Sequence, residues 1–170
     1  GNSSSLGFAP GQMLTGNILF EGANNGDRYV EMNGSSGTLT IGPTGSIKTV
    51  AGFGGTGYIG KTSQQFFGGG AMTLVNQSLI SAEALVKTLN VQPANGLTNN
   101  GIVQAIGGAF LNLTGLINGG TFTTSGTGKL LLNAATLQGV TLAGVAEVQA
   151  NSIAKGGLTL NGGQLIVNAG

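Results

Sequence analysis

Cysteine, histidine and tryptophan are all missing from this 170-residue sequence. Without cysteine there is no disulfide framework and no thiolate metal site, so packing and hydrogen bonds must hold the fold. Without histidine there is no imidazole ligand and no Ser-His or Cys-His nucleophile. Charge is scarce too: Asp, Glu, Lys and Arg make up 6% of residues, against roughly a quarter in ordinary soluble domains. A net charge of +1 supplies no basic cluster of the kind that nucleic acid or anionic lipid requires, so neither is expected as a partner. The five acids do not form the carboxylate clusters that β-helical lyases and glycosidases need. The sequence therefore predicts no enzyme, no catalytic residue, no cofactor and no metal.

Long apolar runs are lacking as well. The most apolar stretch, residues 101–119, is interrupted by Gln104, Asn112, Thr114, Asn118 and several glycines, which argues against a membrane span. Gly1 to Ser5 carries neither an initiator Met nor a basic-then-apolar signal layout, so the chain reads as a processed or excised segment. The glycines follow no three-residue period, which excludes collagen, and positive mean hydropathy argues against disorder.

What is present is glycine at 34 positions, with abundant Thr, Ser and Asn, residues suited to strands and tight turns. They are arranged in a repeat. Leu74-Val-Asn76-Gln-Ser-Leu79 is matched 23 positions on by Leu97-Thr-Asn99-Asn-Gly-Ile102, and 19 further on by Leu116-Ile-Asn118. A second apolar triplet follows each copy: Leu89-Asn-Val91, Leu111-Asn-Leu113, Leu130-Leu-Leu132. A period near twenty with Leu-x-Leu alternation, broken by Asn-Gly or Gly-Gly, predicts an all-β fold, a parallel β-solenoid (β-helix) with coils of about 20 residues. Equivalent residues then stack about 4.8 Å apart. Leu74, Leu97 and Leu116 are expected in one interior column, Leu89, Leu111 and Leu130 in another. Asn76, Asn99 and Asn118 are expected to form a corner ladder of side-chain amides.

Residues 37–170 are read as coils of one continuous domain. Residues 1–36, which carry Glu21, Asp27, Arg28 and Glu31, are read as an irregular first coil or a cap. One segment competes with this scheme: residues 81–89 hold good helix formers, with Glu83 four before Lys87, the spacing of a helical ion pair. The flanking repeats leave room only for a strand, a turn near Glu83 and a second strand, and that is the reading preferred.

These phrases, with Gly37-Thr-Leu-Thr-Ile-Gly-Pro43, Thr73-Leu-Val-Asn-Gln77 and Gly119-Gly-Thr121, resemble the repetitive β-helix regions of bacterial autotransporter passengers and filamentous-haemagglutinin-like surface adhesins. The likeness spans roughly residues 37–167. It implies an extracellular or cell-surface location and a stalk or binding surface, while no signal or membrane barrel is visible in this sequence. The expected partner is another copy, as a homo-oligomer or polymer; the alternative is an adhesin face that binds glycans or a host surface.

Several motifs carry competing chemistry. Gly55-Thr-Gly-Tyr-Ile-Gly60-Lys61-Thr62 spells a P-loop, and Gly55-x-Gly57-x-x-Gly60 within it a dinucleotide fingerprint. Yet residues 63–70 make a poor helix and no acid follows in a Walker-B setting, so turn glycines are the better reading. Glu21, Asp27 and Glu31 are near enough in sequence for a weak calcium site, though a solvated charged cap is preferred. Glu83 and Glu147 stand alone among the acids. Asn2, Asn76 and Asn112 spell glycosylation acceptors. Thr38/Thr40 and Thr121/Thr123 form Thr-x-Thr pairs without an evident common coil position. Phe66-Phe67 and Tyr58 are candidates for a contact patch, with packing as the default.

Overall fold

The computed structural model describes residues 2–60 and 66–168. Among them every regular element is a β-strand, eighteen in all, and every strand-to-strand pairing is parallel. The strands are β1 Ser4–Phe8, β2 Gln12–Leu14, β3 Asn17–Phe20, β4 Arg28–Met32, β5 Gly37–Ile41, β6 Ser46–Thr49, β7 Gly57–Ile59, β8 Met72–Asn76 and β9 Leu79–Ala82. They continue with β10 Thr88–Val91, β11 Leu97–Asn99, β12 Ile102–Ala105, β13 Phe110–Asn118, β14 Thr121–Thr124, β15 Lys129–Ala143, β16 Val145–Val148, β17 Ile153–Leu160 and β18 Gln164–Val167.

Pairing sorts them into three rows of one curled sheet. β1, β4, β7, β10, the start of β13, the start of β15, β16 and β18 form the first row. β2, β5, β8 and β11 lead the second, continued by the later parts of β13 and β15 and the start of β17. β3, β6, β9, β12 and β14 lead the third, continued by the ends of β15 and β17. The chain visits the rows in order, pass after pass. Residues 1–36, expected to form an irregular first coil or a cap, carry β1 to β4, which pair in register with the strands that follow.

Alternation explains the core. In β8 the pattern Met-Thr-Leu-Val-Asn buries every second residue, as period-2 geometry requires. Register then stacks the inward residues into columns. One runs from Leu6 through Val30, Ile59, Val91, Leu113, Leu132 and Val148 to Val167. Another runs from Ile18 through Ile47, Ile80, Val103, Phe122 and Leu142 to Leu160. These columns form one continuous apolar core.

The spacing is less even than the sequence repeat suggests. Leu39 pairs with Leu74, 35 residues on, whereas Leu130 pairs with Ala146, 16 residues on. Excursions at corners absorb the difference, the longest lying between β7 and β8. At the corner from the third row to the first, four turns repeat the same i to i+3 bond: Val50 O accepts from Phe53 N, Ala84 O from Lys87 N, Ile106 O from Ala109 N and Ser125 O from Gly128 N. Residues 81–89 follow this pattern. β9 ends at Ala82, β10 begins at Thr88, and the turn between them holds Val86 at φ 52°. No helix forms there, because register with β6 and β12 holds one flank and register with β7 and β13 the other.

Candidate functional site

The residues expected to stack do so in part. Leu89, Leu111 and Leu130 are in direct register and fully buried. Leu74 pairs with Leu97, but Leu97 pairs with Ile117 and not with Leu116. Ile117 is buried while Leu116 is 39% exposed. Gly115, at φ 82°, turns β13 through the corner, and the strand leaves it with Ile117 turned inward in register with Leu97 and Leu116 turned out. The phrase Leu-x-Asn therefore recurs in the sequence one residue out of structural register.

The asparagine ladder is corrected for the same reason. Asn76 Nδ2 donates to Asn99 Oδ1 at 2.8 Å and to Ile102 O at 3.1 Å. Asn99 Nδ2 donates to Thr121 O at 3.4 Å. Each side-chain oxygen also caps the next corner, accepting from Ser78 N and Gly101 N, both at 3.2 Å. Asn118 pairs opposite Thr98 and stands outside the ladder. Gly120, at φ 79°, takes the corner; a Cβ there would lie 2.3 Å from Asn99 Nδ2. Two amides and a glycine thus close a column expected to hold three amides. The burial of Asn76 also withdraws it as a glycosylation acceptor.

A second amide pair escaped the sequence reading. Asn112 Nδ2 donates to Asn90 Oδ1 at 2.8 Å, and Asn90 Nδ2 to Gly57 O at 3.3 Å. Its signal was in the aligned triplets Leu89-Asn-Val91 and Leu111-Asn-Leu113, where both asparagines occupy the middle position.

The P-loop spelling lies across β7. Gly57, Tyr58 and Ile59 are paired with β4 and β10, so their amides belong to the ladder and cannot cradle a phosphate. Gly57 is small because Phe20 and Leu89 close over it: a Cβ would lie 2.6 Å from Phe20 Cδ2. Lys61 and Thr62 lie outside the described residues.

The three acids of the expected charged cap take separate environments. Glu21 is exposed. Asp27 Oδ2 accepts from Tyr29 OH at 3.1 Å. Glu31, far from solvated, is 2% exposed; its Oε1 accepts from the Ser5 hydroxyl and from Phe66 N, and its Oε2 has no partner among the described residues. The cover comes from the excursion before β8, where Phe67 packs on Gly7 and the Phe66 ring lies 5.6 Å from Tyr29. Tyr29 stacks on Tyr58 at 5.1 Å. Burial, reinforced by the hydrogen bond to Asp27, pushes the Tyr29 phenol up to about 12. Burial raises Tyr58 as well. These rings pack against one another, as the default reading had it, although Phe66 keeps 57% exposure.

Glu83 and Glu147 each face a lysine one rung away. Lys48 Nζ is 3.8 Å from Glu83 Oε1, and Lys129 Nζ is 2.6 Å from Glu147 Oε1. The Thr-x-Thr pairs find partners that the sequence concealed. Thr121, Thr141 and Thr159 stack in one outward column, and Thr38 pairs with Thr73. At the end formed by β15 to β18, an open cavity of about 430 Å³ is lined by Leu132, Leu137, Val148, Ile153, Leu158 and Leu165. Compared with protein-family models, curated proteins and solved structures, the chain matches none.

Proposed function

We propose that the three rows close into a parallel β-solenoid, with coils near twenty residues in its later part, and that the chain is a non-catalytic, extracellular structural segment of a bacterial surface fibre that self-associates. The observation that carries this reading is the set of inward apolar columns that run in continuous parallel register through the described sheet. The near-neutral, sparsely charged surface opposes association between copies only weakly. The resemblance to autotransporter passengers and filamentous-haemagglutinin-like adhesins supports the location. Electron microscopy and sedimentation of the purified chain at neutral pH test the association, with filaments expected. Monodisperse monomers at high concentration would overturn it, and antibody labelling confined to broken cells would overturn the surface location.

The stacked hydroxyls of Thr121, Thr141 and Thr159 favour a second reading, an adhesin that hydrogen-bonds glycans or a host surface through this row. A glycan array without enrichment on any member would sink it.

A further inference from the structure

We propose that Asn33 and Gly34 form a self-modification site: the Gly34 amide nitrogen attacks the Asn33 side chain, and the isoaspartate that results loosens the excursion covering Glu31.

The sequence holds six Asn-Gly pairs, beginning at Asn25, Asn33, Asn95, Asn100, Asn118 and Asn161. A glycine nitrogen has no side chain beside it to hinder attack on the preceding carboxamide. The fold then sorts the six. Gly96 N donates to Pro93 O at 2.9 Å, Gly101 N to Asn99 Oδ1 at 3.2 Å and Gly119 N to Gln138 O at 2.8 Å. Each must give up that bond before it can attack. Gly26 is buried, and its carbonyl accepts from Arg28 Nη1 at 2.5 Å. Asn33 and Gly34 are both exposed, and no acceptor among the described residues takes the Gly34 N–H. Asn33 itself is anchored, its N–H donating to Phe8 O and its carbonyl accepting from Ser35 N. Asn161 and Gly162 share the exposure and the free amide, and serve as an internal comparison.

The reaction needs only water. Gly34 N bonds to Asn33 Cγ and gives up its proton, the Cγ–Nδ2 bond breaks, and ammonia departs from a five-membered imide. Water then opens the ring. Addition at Cγ gives aspartate, whereas addition at the main-chain carbonyl gives isoaspartate, whose backbone runs through Cβ and Cγ and is one carbon longer. Nothing is oxidised or reduced.

Location gives the product its consequence, because the turn over residues 33–36 seats the excursion that covers Glu31. Met32 bridges to Gly70, Phe67 O and Gly68 lie against Gly34, and Ser36 Oγ accepts from Ala71 N at 2.9 Å. Isoaspartate lengthens the chain within that seat. It also turns the carbonyl bonded to Ser35 N into a carboxylate, a new negative charge on a chain of net charge +1. Phe66, whose N–H donates to Glu31 Oε1 at 3.2 Å, then loses its hold.

The test ages the whole chain in mildly alkaline buffer and follows each Asn-Gly pair by fragmentation mass spectrometry. Asn33 is expected to convert at least about tenfold faster than Asn95, Asn100 and Asn118, a barrier difference of about 1.4 kcal/mol, with Asn161 reacting alongside it. Amide exchange at Phe66 should rise as Asn33 converts. Asn33→Gln, which would have to close a larger and slower ring, should show no such rise when aged in parallel. Circular dichroism checks its fold, and Asn33→Ser, which has no carboxamide, replaces it if it misfolds. Conversion at Asn33 no faster than at the three bonded sites would overturn the site. Exchange at Phe66 that stays constant while isoaspartate accumulates, or that rises equally in the variant, would overturn its effect on the cover.

Discussion

The two halves of the sheet build the same rows by different means. From β1 to β10, successive partners in a row lie up to 35 residues apart, and long corners carry charge and aromatic rings: Asp27, Arg28, Phe53, Phe66 and Phe67 all stand at or between strands there. From β11 onward the corners shrink. β13 runs nine residues and β15 fifteen, each crossing from row to row without a break, the direction changing at Gly115, Ala134 and Gly139, all at positive φ. Ala134 there is an L-residue in a conformation that costs it energy. The first half holds its columns with covering loops and buried polar groups, the last of which is Asn99 at the end of β11, while the strands beyond it rely on stacked Leu, Ile and Val. Stability in the second half should therefore rest on packing, and in the first half on buried polar groups as well.

The largest break in that contrast is expected from Leu111→Ala. Leu111 is fully buried between Leu89 and Leu130, and removing it leaves a cavity that rigid rungs above and below cannot fill. The expected cost is about 2–5 kcal/mol, read as a lowered midpoint in urea. A loss under 1 kcal/mol would mean that the leucine columns do not carry the second half.

Next in size is a paired measurement on the amides. Asn99→Ala leaves Asn76 Nδ2 without its 2.8 Å acceptor and Gly101 N without its cap, and is expected to destabilise by about 1–3 kcal/mol. Asn118→Ala touches no part of that ladder and should stay within about 0.5 kcal/mol. Equal effects in thermal unfolding would refute the register that separates the two residues.

That register marks the limit of what could be read without coordinates. The column Leu89–Leu111–Leu130 was legible because its triplets keep the same phase on one row, and the strand-turn-strand path of residues 81–89 because its neighbours left no space for a helix. Leu116 and Asn118 were misplaced because a repeated phrase was taken as a repeated position, and a one-residue slip exchanges the two faces of a strand. Glu31 was expected in solvent because its cover comes from Phe66, 35 residues away. No local pattern reports a loop that folds over another rung. The same holds for Thr121, Thr141 and Thr159, whose spacings of 20 and 18 residues only register brings into line.

The smallest effect is confined to alkaline solution and belongs to the first half. Tyr29 is buried against Tyr58 and Phe66, and its phenol, bonded to Asp27, is pushed up to about 12. An unfolded tyrosine ionises near pH 10. The folded state therefore holds the proton more tightly, so the contribution to stability is fully present below about pH 10 and is lost as pH rises toward 12. Unfolding monitored in urea should be insensitive to this group from neutral pH to about 9, with the midpoint falling beyond 10. Tyr29→Phe keeps the ring stack but removes the titrating hydroxyl, and is expected to flatten that alkaline slope, leaving the weaker contribution of Tyr58. Leu111→Ala should lower stability equally at pH 7 and 11. An alkaline slope unchanged in Tyr29→Phe would show that the buried phenol does not distinguish the first half from the second.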